Sequence, residues 1–187
     1  MAASWTRQNL LRGWRRYSSD QRGAAAVEFA IVLTLLTIPV LNVIDLALYA
    51  WDRMQVDNAA QMAAQAGWAV CNQASNLPAT PNSYANCPNM LTEVTTAVQS
   101  TSLGAAVTVT ATTEAYYCVV SGTLTQVAAV TSTKPANCSG FGGLASDVPG
   151  DYVQITASYT YTPIFPAMSI VSLLAPTITR IAWTRMG

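Results

Sequence analysis

The residue of greatest chemical interest is a single carboxylate near the start of an almost charge-free run. Glu28 follows Gly23 after four small or apolar residues. If the bond between Gly23 and Ala24 were cut, the new amino terminus would carry a positive charge one helical turn before Glu28. An ammonium group in hydrocarbon needs a counter-ion, and a carboxylate four residues along lies on the same helix face. The spacing therefore predicts that Glu28 neutralises an α-ammonium at Ala24, on its own helix or on a neighbouring copy.

The element that must position Glu28 is a helix long enough to cross a membrane. The run from Ala24 to Ile44 has 21 residues, which as a helix span about 31 Å, close to the ~30 Å hydrocarbon thickness of a bilayer. We therefore predict a transmembrane helix over residues 24–48. Pro39 predicts a kink inside it, because proline removes one backbone hydrogen bond. The alternative interpretation of Glu28 is a stray carboxylate at the membrane interface, where snorkelling reduces its cost.

The residues around Glu28 resemble the start of a pilin precursor. Gly23, four small or apolar residues, Glu28 and the aromatic Phe29 are similar to the prepilin-peptidase site of Flp-type pilins. The wider string RGAAAVEFA resembles the start of a TadE-like minor pilin, or pseudopilin, of the tight-adherence secretion system. Residues 57–67 are similar to the Ala-rich helix of this family, and residues 152–166 to its terminal strand and the Pro-flanked apolar segment after it.

This resemblance implies a function and a set of partners. It implies cleavage between Gly23 and Ala24 by a prepilin peptidase, with Glu28 and Phe29 serving assembly. The protein would be a minor pilin that helps to assemble or anchor Flp-type (type IVb) pili for adhesion and secretion. Its partners would be the inner membrane, the prepilin peptidase, the major Flp pilin, other minor pilins and the platform proteins of the tight-adherence system.

The charge distribution predicts the orientation of the chain. Residues 1–23 hold five arginines against one acid, whereas the remainder holds four basic and eight acidic residues. Positive charge beside a first span keeps that flank in the cytoplasm, so we expect residues 1–23 to be a cytoplasmic basic leader and the carboxyl-terminal part to lie outside. With the resemblance to a pilin, that outer side would be the periplasm. The run after Glu28 is too long for the core of a removable secretory signal, which leaves an uncleaved signal anchor open. Because basic charge is expected there for topology, we predict no nucleic-acid binding.

Beyond the membrane the helix is expected to continue over residues 49–71. Asp45, Asp52, Arg53 and Asp57 can be solvated there, and Tyr49 and Trp51 lie where an aromatic belt is expected. Small residues recur at helical spacing in two adjoining rows: Ala59, Ala63, Ala66 and Val70, and Ala60, Ala64, Gly67 and Cys71. Such a face allows close approach of another element. That other element is either the helix of a sister protein or the protein's own sheet, and the sequence leaves both alternatives open.

Four cysteines, Cys71, Cys87, Cys118 and Cys138, all fall on the predicted periplasmic side. An even number in an exported domain indicates two disulfides, for which three pairings are possible. We expect Cys71 with Cys87 and Cys118 with Cys138, because each pair closes one polar loop. No metal site is expected, since the chain has no histidine and no C-x-x-C pair.

Residues 72–187 are predicted to form a disulfide-containing exported domain, so that the fold class is α+β, a long amino-terminal helix with a small antiparallel sheet. Helical spacing predicts a short helix over 88–101. Strands are expected around Val107 and Val109, and over 116–120, 152–162 and 177–183. Residues 140–143 and 149–151 indicate turns. The apolar stretch 164–175 is too short to span a bilayer and predicts a short helix that covers the sheet or rests on the membrane surface.

Enzymatic chemistry finds little support in the composition. The absence of histidine removes the commonest general base and the Ser-His and Cys-His nucleophile systems. The exported carboxylates form no recognisable catalytic pair, and the Gly-rich segment lacks the lysine of a phosphate loop. We predict no catalytic residues and no cofactor. Two classes of function remain, a peptidase-processed minor pilin and an uncleaved, membrane-anchored periplasmic binding or adaptor protein.

Overall fold

The computed structural model describes residues 21–80, 84–173 and 176–186, and its fold is the predicted α+β class. The first 20 residues of the predicted leader 1–23 lie outside this range. Two helices and four strands follow one another along the chain: α1 (Gln21–Cys71), α2 (Met90–Val98), β1 (Thr108–Val120), β2 (Thr123–Ala129), β3 (Gly150–Thr160) and β4 (Thr177–Met186). The described residues therefore consist of one long helix followed by a short helix and a sheet.

Helix α1 is continuous through Pro39 and reaches Cys71. Within the described residues it is the one helix long and apolar enough to cross a membrane. Proline cannot supply an amide hydrogen to the carbonyl four residues before it, but the helix continues without a break on both sides of Pro39. The kink at Pro39 stays a prediction.

The four strands form one antiparallel sheet in the order β2-β1-β3-β4. Residues 116–120 are not a separate strand, because β1 runs without a break from Thr108 to Val120. It turns into β2 through Ser121 and Gly122, whose positive φ values of 51° and 80° are those of a tight two-residue hairpin turn. Strand β2 lies in what the sequence analysis treated as a polar loop closed by Cys118 and Cys138. We call the Ser121–Gly122 end of the sheet the distal end.

Strand β3 has the alternation predicted for it, with Val153, Ile155 and Ala157 buried on one face. It begins earlier than expected, at Gly150, so the turn predicted for residues 149–151 is wrong. Extended pairing of Gly150 with Tyr117 and of Asp151 with Tyr116 takes these two residues into the sheet. The turn predicted at 140–143 is present as a 3₁₀ turn that ends at Gly142, with φ of 88°.

The core lies between the second half of α1, α2 and one face of the sheet. Ala59, Ala60, Ala63 and Ala64 of α1 are buried in it. A Cβ added at Gly67 would lie 3.4 Å from side-chain atoms of Met90 and Val94 and 3.6 Å from Ile155, which shows how closely α2 and β3 approach this helix. Of the two interpretations of the small-residue face, packing against the protein's own domain is therefore the one observed. The short helix α2 is present within the predicted range 88–101.

The four cysteines pair as expected from the sequence. Cys71, the last residue of α1, is bonded to Cys87, three residues before α2. Cys118 near the end of β1 is bonded to Cys138 in the loop that leads to β3. Both bonds lie toward the distal end, and all four residues are buried.

Candidate functional site

The first half of α1 is a bare helix, with no other described element packed against it before residue 41. Residues 23–40 are all exposed, and Phe29 is 68 % exposed. A Cβ added at Gly23 would meet nothing within 4 Å. The predicted cleavage position and the predicted neutralising residue therefore both lie on open helix surface, where another molecule could reach them.

Glu28 and Ala24 are separated by one turn of this helix, so both lie on one side of it. The rise between them is about 6 Å, which places a carboxylate within Coulombic range of a charge at residue 24. At such a distance the interaction between unit charges is far stronger in hydrocarbon than in water. The geometry suits the neutralising role predicted for Glu28.

The polar side chains inside the apolar run are satisfied by the helix itself. The hydroxyls of Thr34 and Thr37 donate to the carbonyls of Ala30 and Leu33, at 2.8 and 2.7 Å. In hydrocarbon, polar groups must find hydrogen-bond partners within the protein, because no water is present to bind them. The segment is therefore compatible with lipid along its length, with Glu28 as the exception.

Where α1 meets the domain, it carries a row of polar and aromatic residues that was not predicted to form one contact surface. Asn42, Asp45, Tyr49 and Asp52 recur at intervals of three and four residues and lead into buried Val56. Asp45 is fully buried, so the expectation that it is solvated is wrong. Its Oδ1 accepts a hydrogen bond from the backbone N–H of Ile164 at 3.1 Å, whereas its Oδ2 has no partner within the described residues. The helical spacing of these polar residues was the signal available in the sequence.

Two tyrosines complete this junction, Tyr159 as the second-last residue of β3 and Tyr161 directly after the strand. The hydroxyl of Tyr161 donates to the carbonyl oxygen of Asp45 at 3.1 Å, and its ring packs edge-on against Tyr49 with centroids 5.4 Å apart. Tyr49 therefore contacts the domain, and its place in an aromatic belt stays a prediction. Burial, followed by the charge of Asp45, raises the pKa of Tyr161. Burial, followed by the charge of Asp52 and a hydrogen bond to it, raises the pKa of Tyr159. Both hydroxyls thus stay protonated and act as donors.

Residues 161–173, which we call the collar, connect β3 to β4 beside this junction. Of the short helix predicted over 164–175, the described residues form one 3₁₀ turn, Ile170–Leu173. The prolines of this segment supply no backbone N–H, which disfavours a regular helix. Instead the backbone N–H of Ile170 donates to Oδ1 of Asn42 at 2.7 Å. The collar is thereby tied to α1 rather than laid over the sheet.

A buried pair of carboxyl groups lies at the other end of the domain. Glu114 on β1 accepts hydrogen bonds from the backbone N–H groups of Ala79 and Thr80, and it is adjacent to Asp151 on β3. Burial, followed by the charge of Glu114 and a hydrogen bond to it, raises the pKa of Asp151 to about 7, against the lowering effect of Lys134. Because buried Glu114 accepts hydrogen bonds from two backbone amides, it fastens the 72–80 loop to the sheet.

The match to known families covers most of α1, from its exposed first half through the junction into the part packed in the core. Residues 23–65 match the family model for TadE-like protein. The match begins at Gly23, the residue before the predicted cleavage position, and covers about a quarter of the chain. No curated protein and no solved structure matches the chain.

The TadE-like match confirms the resemblance drawn from the sequence over this segment. Over these residues the chain is similar to TadE-like proteins. The apolar first half of the TadE-like helix further indicates a single-pass membrane anchor. Of the sequence-predicted residues, Gly23, Ala24, Glu28 and Phe29 share one exposed helical segment, and Pro39 lies further along it. The two disulfides are remote from all of them.

Proposed function

We propose that this protein is a minor pilin, or pseudopilin, that contributes to assembly or anchoring of Flp-type pili for adhesion and secretion. Helix α1 holds it in the bacterial inner membrane over residues 24–48, with residues 1–23 in the cytoplasm. Residues 49–71 continue the helix into the periplasm, where residues 72–187 form the exported domain. The observation that supports this proposal is the TadE-like match over residues 23–65, which starts at Gly23 and includes the exposed stretch of helix over residues 23–40.

The proposed maturation step is cleavage of the Gly23–Ala24 peptide bond by a prepilin peptidase. Hydrolysis releases residues 1–23 and leaves an α-ammonium on Ala24, one turn before Glu28. The carboxylate of Glu28 compensates this charge inside lipid, either within one protomer or between neighbours. Phe29 and the exposed apolar residues after it are then available to pack against the helices of the major Flp pilin and other minor pilins. The platform proteins of the tight-adherence system complete the proposed set of partners.

The test is the intact mass of the protein extracted from membranes of its native host. We expect the mass of residues 24–187, and the mass of the full chain when the prepilin peptidase is deleted. Gly23→Val is expected to abolish processing. Gly140→Val is its matched control, because a Cβ added at either glycine meets nothing within 4 Å.

The role of Glu28 is tested with a charge-neutralising variant. Glu28→Gln is expected to remove the product that begins at Ala24, whereas Glu93→Gln, which alters an exposed acid on α2, should leave it unchanged. A full-length mass in the wild-type host, or processing that is indifferent to the Gly23 and Glu28 variants, would contradict the proposal. The protein would then be an uncleaved, membrane-anchored periplasmic module.

A further inference from the structure

The collar lies at the level where the apolar run of α1 ends. Its backbone N–H groups at Ile170 and Ile164 are bonded to Asn42 and Asp45, on either side of Ile44. Counted from Ala24, the helix has risen about 31 Å at Ile44, which equals the hydrocarbon thickness of a bilayer. If α1 spans the membrane over this run, the hydrogen bonds place the collar at the outer boundary of the hydrocarbon.

The collar keeps most of its large apolar side chains out of the protein core. Val171 and Ser169 are buried against the domain, but four other side chains point to the outside. Their exposed fractions are 59 % for Ile164, 56 % for Met168, 51 % for Ile170 and 87 % for Leu173. No charged residue occurs between 161 and 176. An uncharged apolar group of this size is costly in water and favourable at a lipid surface.

The backbone of the collar is also suited to a lipid boundary. The N–H groups of Met168 and Ser169 donate to the carbonyl of Phe165 at 3.0 and 2.9 Å. The N–H of Tyr161 donates to the carbonyl of Pro176 at 2.9 Å, and the N–H of Val171 donates to the hydroxyl of Ser169 at 3.2 Å. Satisfied backbone groups can approach hydrocarbon without the penalty of an unpaired donor.

We propose that the collar is a second membrane contact, which rests on the periplasmic face of the bilayer with the side chains of Ile164, Met168, Ile170 and Leu173 in the lipid interface. The occupant is lipid because the collar lies beside the end of the apolar run of α1, to which it is hydrogen-bonded at Asn42 and Asp45. Two contacts, one spanning and one lying on the surface, set the depth of the helix and hold the domain at a defined height. The inference requires that α1 crosses the membrane, and it is independent of cleavage and of pilus assembly.

The experiment uses the full chain reconstituted in vesicles of phosphatidylethanolamine and phosphatidylglycerol. The photo-reactive residue p-benzoylphenylalanine replaces Leu173, and after illumination the intact mass reports covalent lipid adducts. The matched control is Leu144, which is 67 % exposed in the loop at the distal end. Leu36, 56 % exposed in the middle of the apolar run, reports whether α1 is in the bilayer.

We expect lipid adducts at positions 36 and 173, with a yield at 173 at least fivefold above that at 144. Adducts at 36 without an excess at 173 would overturn the proposal while leaving the membrane anchor intact. Cross-links at 173 between two copies of the chain, in place of lipid adducts, would identify the collar as a protein interface and would also overturn it. The absence of adducts at 36 would remove its premise and overturn it as well. None of these results depends on the processing of Gly23.

Discussion

Glu28 and Asp45 are both acids in α1, but their surroundings differ completely. Glu28 is exposed on the bare helix, and its proximity to Ala24 follows from helical spacing alone, so the sequence was sufficient to predict it. Asp45 is buried by Tyr161 and by the collar, which are more than a hundred residues away in the chain. Its environment depends on tertiary contacts, and a pattern within α1 could indicate only that Asn42, Asp45, Tyr49 and Asp52 share a face.

The raised pKa of Asp151 is expected to make the stability of the sheet domain depend on pH. Its pKa is raised from 3.8 to about 7 by burial and by Glu114, so the folded state binds a proton that the unfolded state has released. Stability is therefore full at low pH and declines as the pH rises through about 7, with a total loss on the order of 2 kcal/mol after allowance for screening by water. Unfolding midpoints of the detergent-solubilised chain between about pH 4 and pH 8 measure this effect.

Asp151→Asn is expected to flatten that dependence. The amide keeps a donor toward Glu114 and cannot ionise, so the variant should be more stable than the wild type above pH 7. Asp57→Asn, at an exposed position of α1, serves as the control and should retain the wild-type pH profile. Unfolding midpoints of the wild type that rise from pH 4 to pH 8 would refute the assignment of the pH dependence to Asp151. An unchanged pH dependence in Asp151→Asn would refute it as well.

At the scale of elements, strong alternation and strong helical periodicity predicted the structure well, whereas turn residues predicted the turn at 140–143 but not the one at 121–122. Helix α1, helix α2 and strands β3 and β4 were all expected from their residue patterns. Strand β2 was not, because its buried pattern is weak and its hairpin uses Ser121 at positive φ, where glycine or asparagine is the usual signal. The collar is helical only over the 3₁₀ turn Ile170–Leu173, and its apolar composition does not reveal the hydrogen bonds to Asn42 and Asp45.

The contact between α1 and α2 depends on the small side chains at their crossing. At Gly67 an alanine Cβ would find ordinary contacts of 3.4 to 3.6 Å, and alanine is favoured over glycine in a helix by about 1 kcal/mol. Gly67→Ala should therefore keep or raise the thermal midpoint of unfolding. Gly67→Leu should lower the free energy of unfolding by roughly 1–3 kcal/mol, because the added atoms have no space between Met90 and Ile155.

The control for this pair of variants is Gln61→Leu, an exposed position on the same helix, which should change the midpoint little. Equal midpoints for Gly67→Leu and Gln61→Leu would show that the crossing tolerates a larger residue. The close packing of α1 on α2 and β3 would then have to be reconsidered.

At the scale of the whole molecule, the two disulfides secure different parts of the domain. The Cys71–Cys87 bond joins the end of α1 to the start of α2, and the Cys118–Cys138 bond joins β1 to the loop before β3. Closing loops of these lengths contributes about 3 kcal/mol each. The double variant Cys71→Ser with Cys87→Ser is thus expected to lose about that amount of stability and to speed hydrogen exchange in α2.

The double variant Cys118→Ser with Cys138→Ser is the matched comparison. It should lose a similar free energy, but with faster exchange confined to the β1–β2 hairpin and the 138–148 loop. Unchanged unfolding midpoints in both double variants would contradict the proposed contribution of the cross-links. Identical exchange patterns in both would contradict their separate roles.

Strand β3 runs along α1 in the opposite direction, with Ile155 beside Gly67 and Tyr161 beside Asp45. A pulling force applied to the amino-terminal half of the helix would therefore load this interface in shear, so that many contacts resist together rather than one after another. The cross-link at Cys71 fixes the far end of the same helix. A chain built in this way can be pulled by its apolar helix without that helix slipping out of the domain.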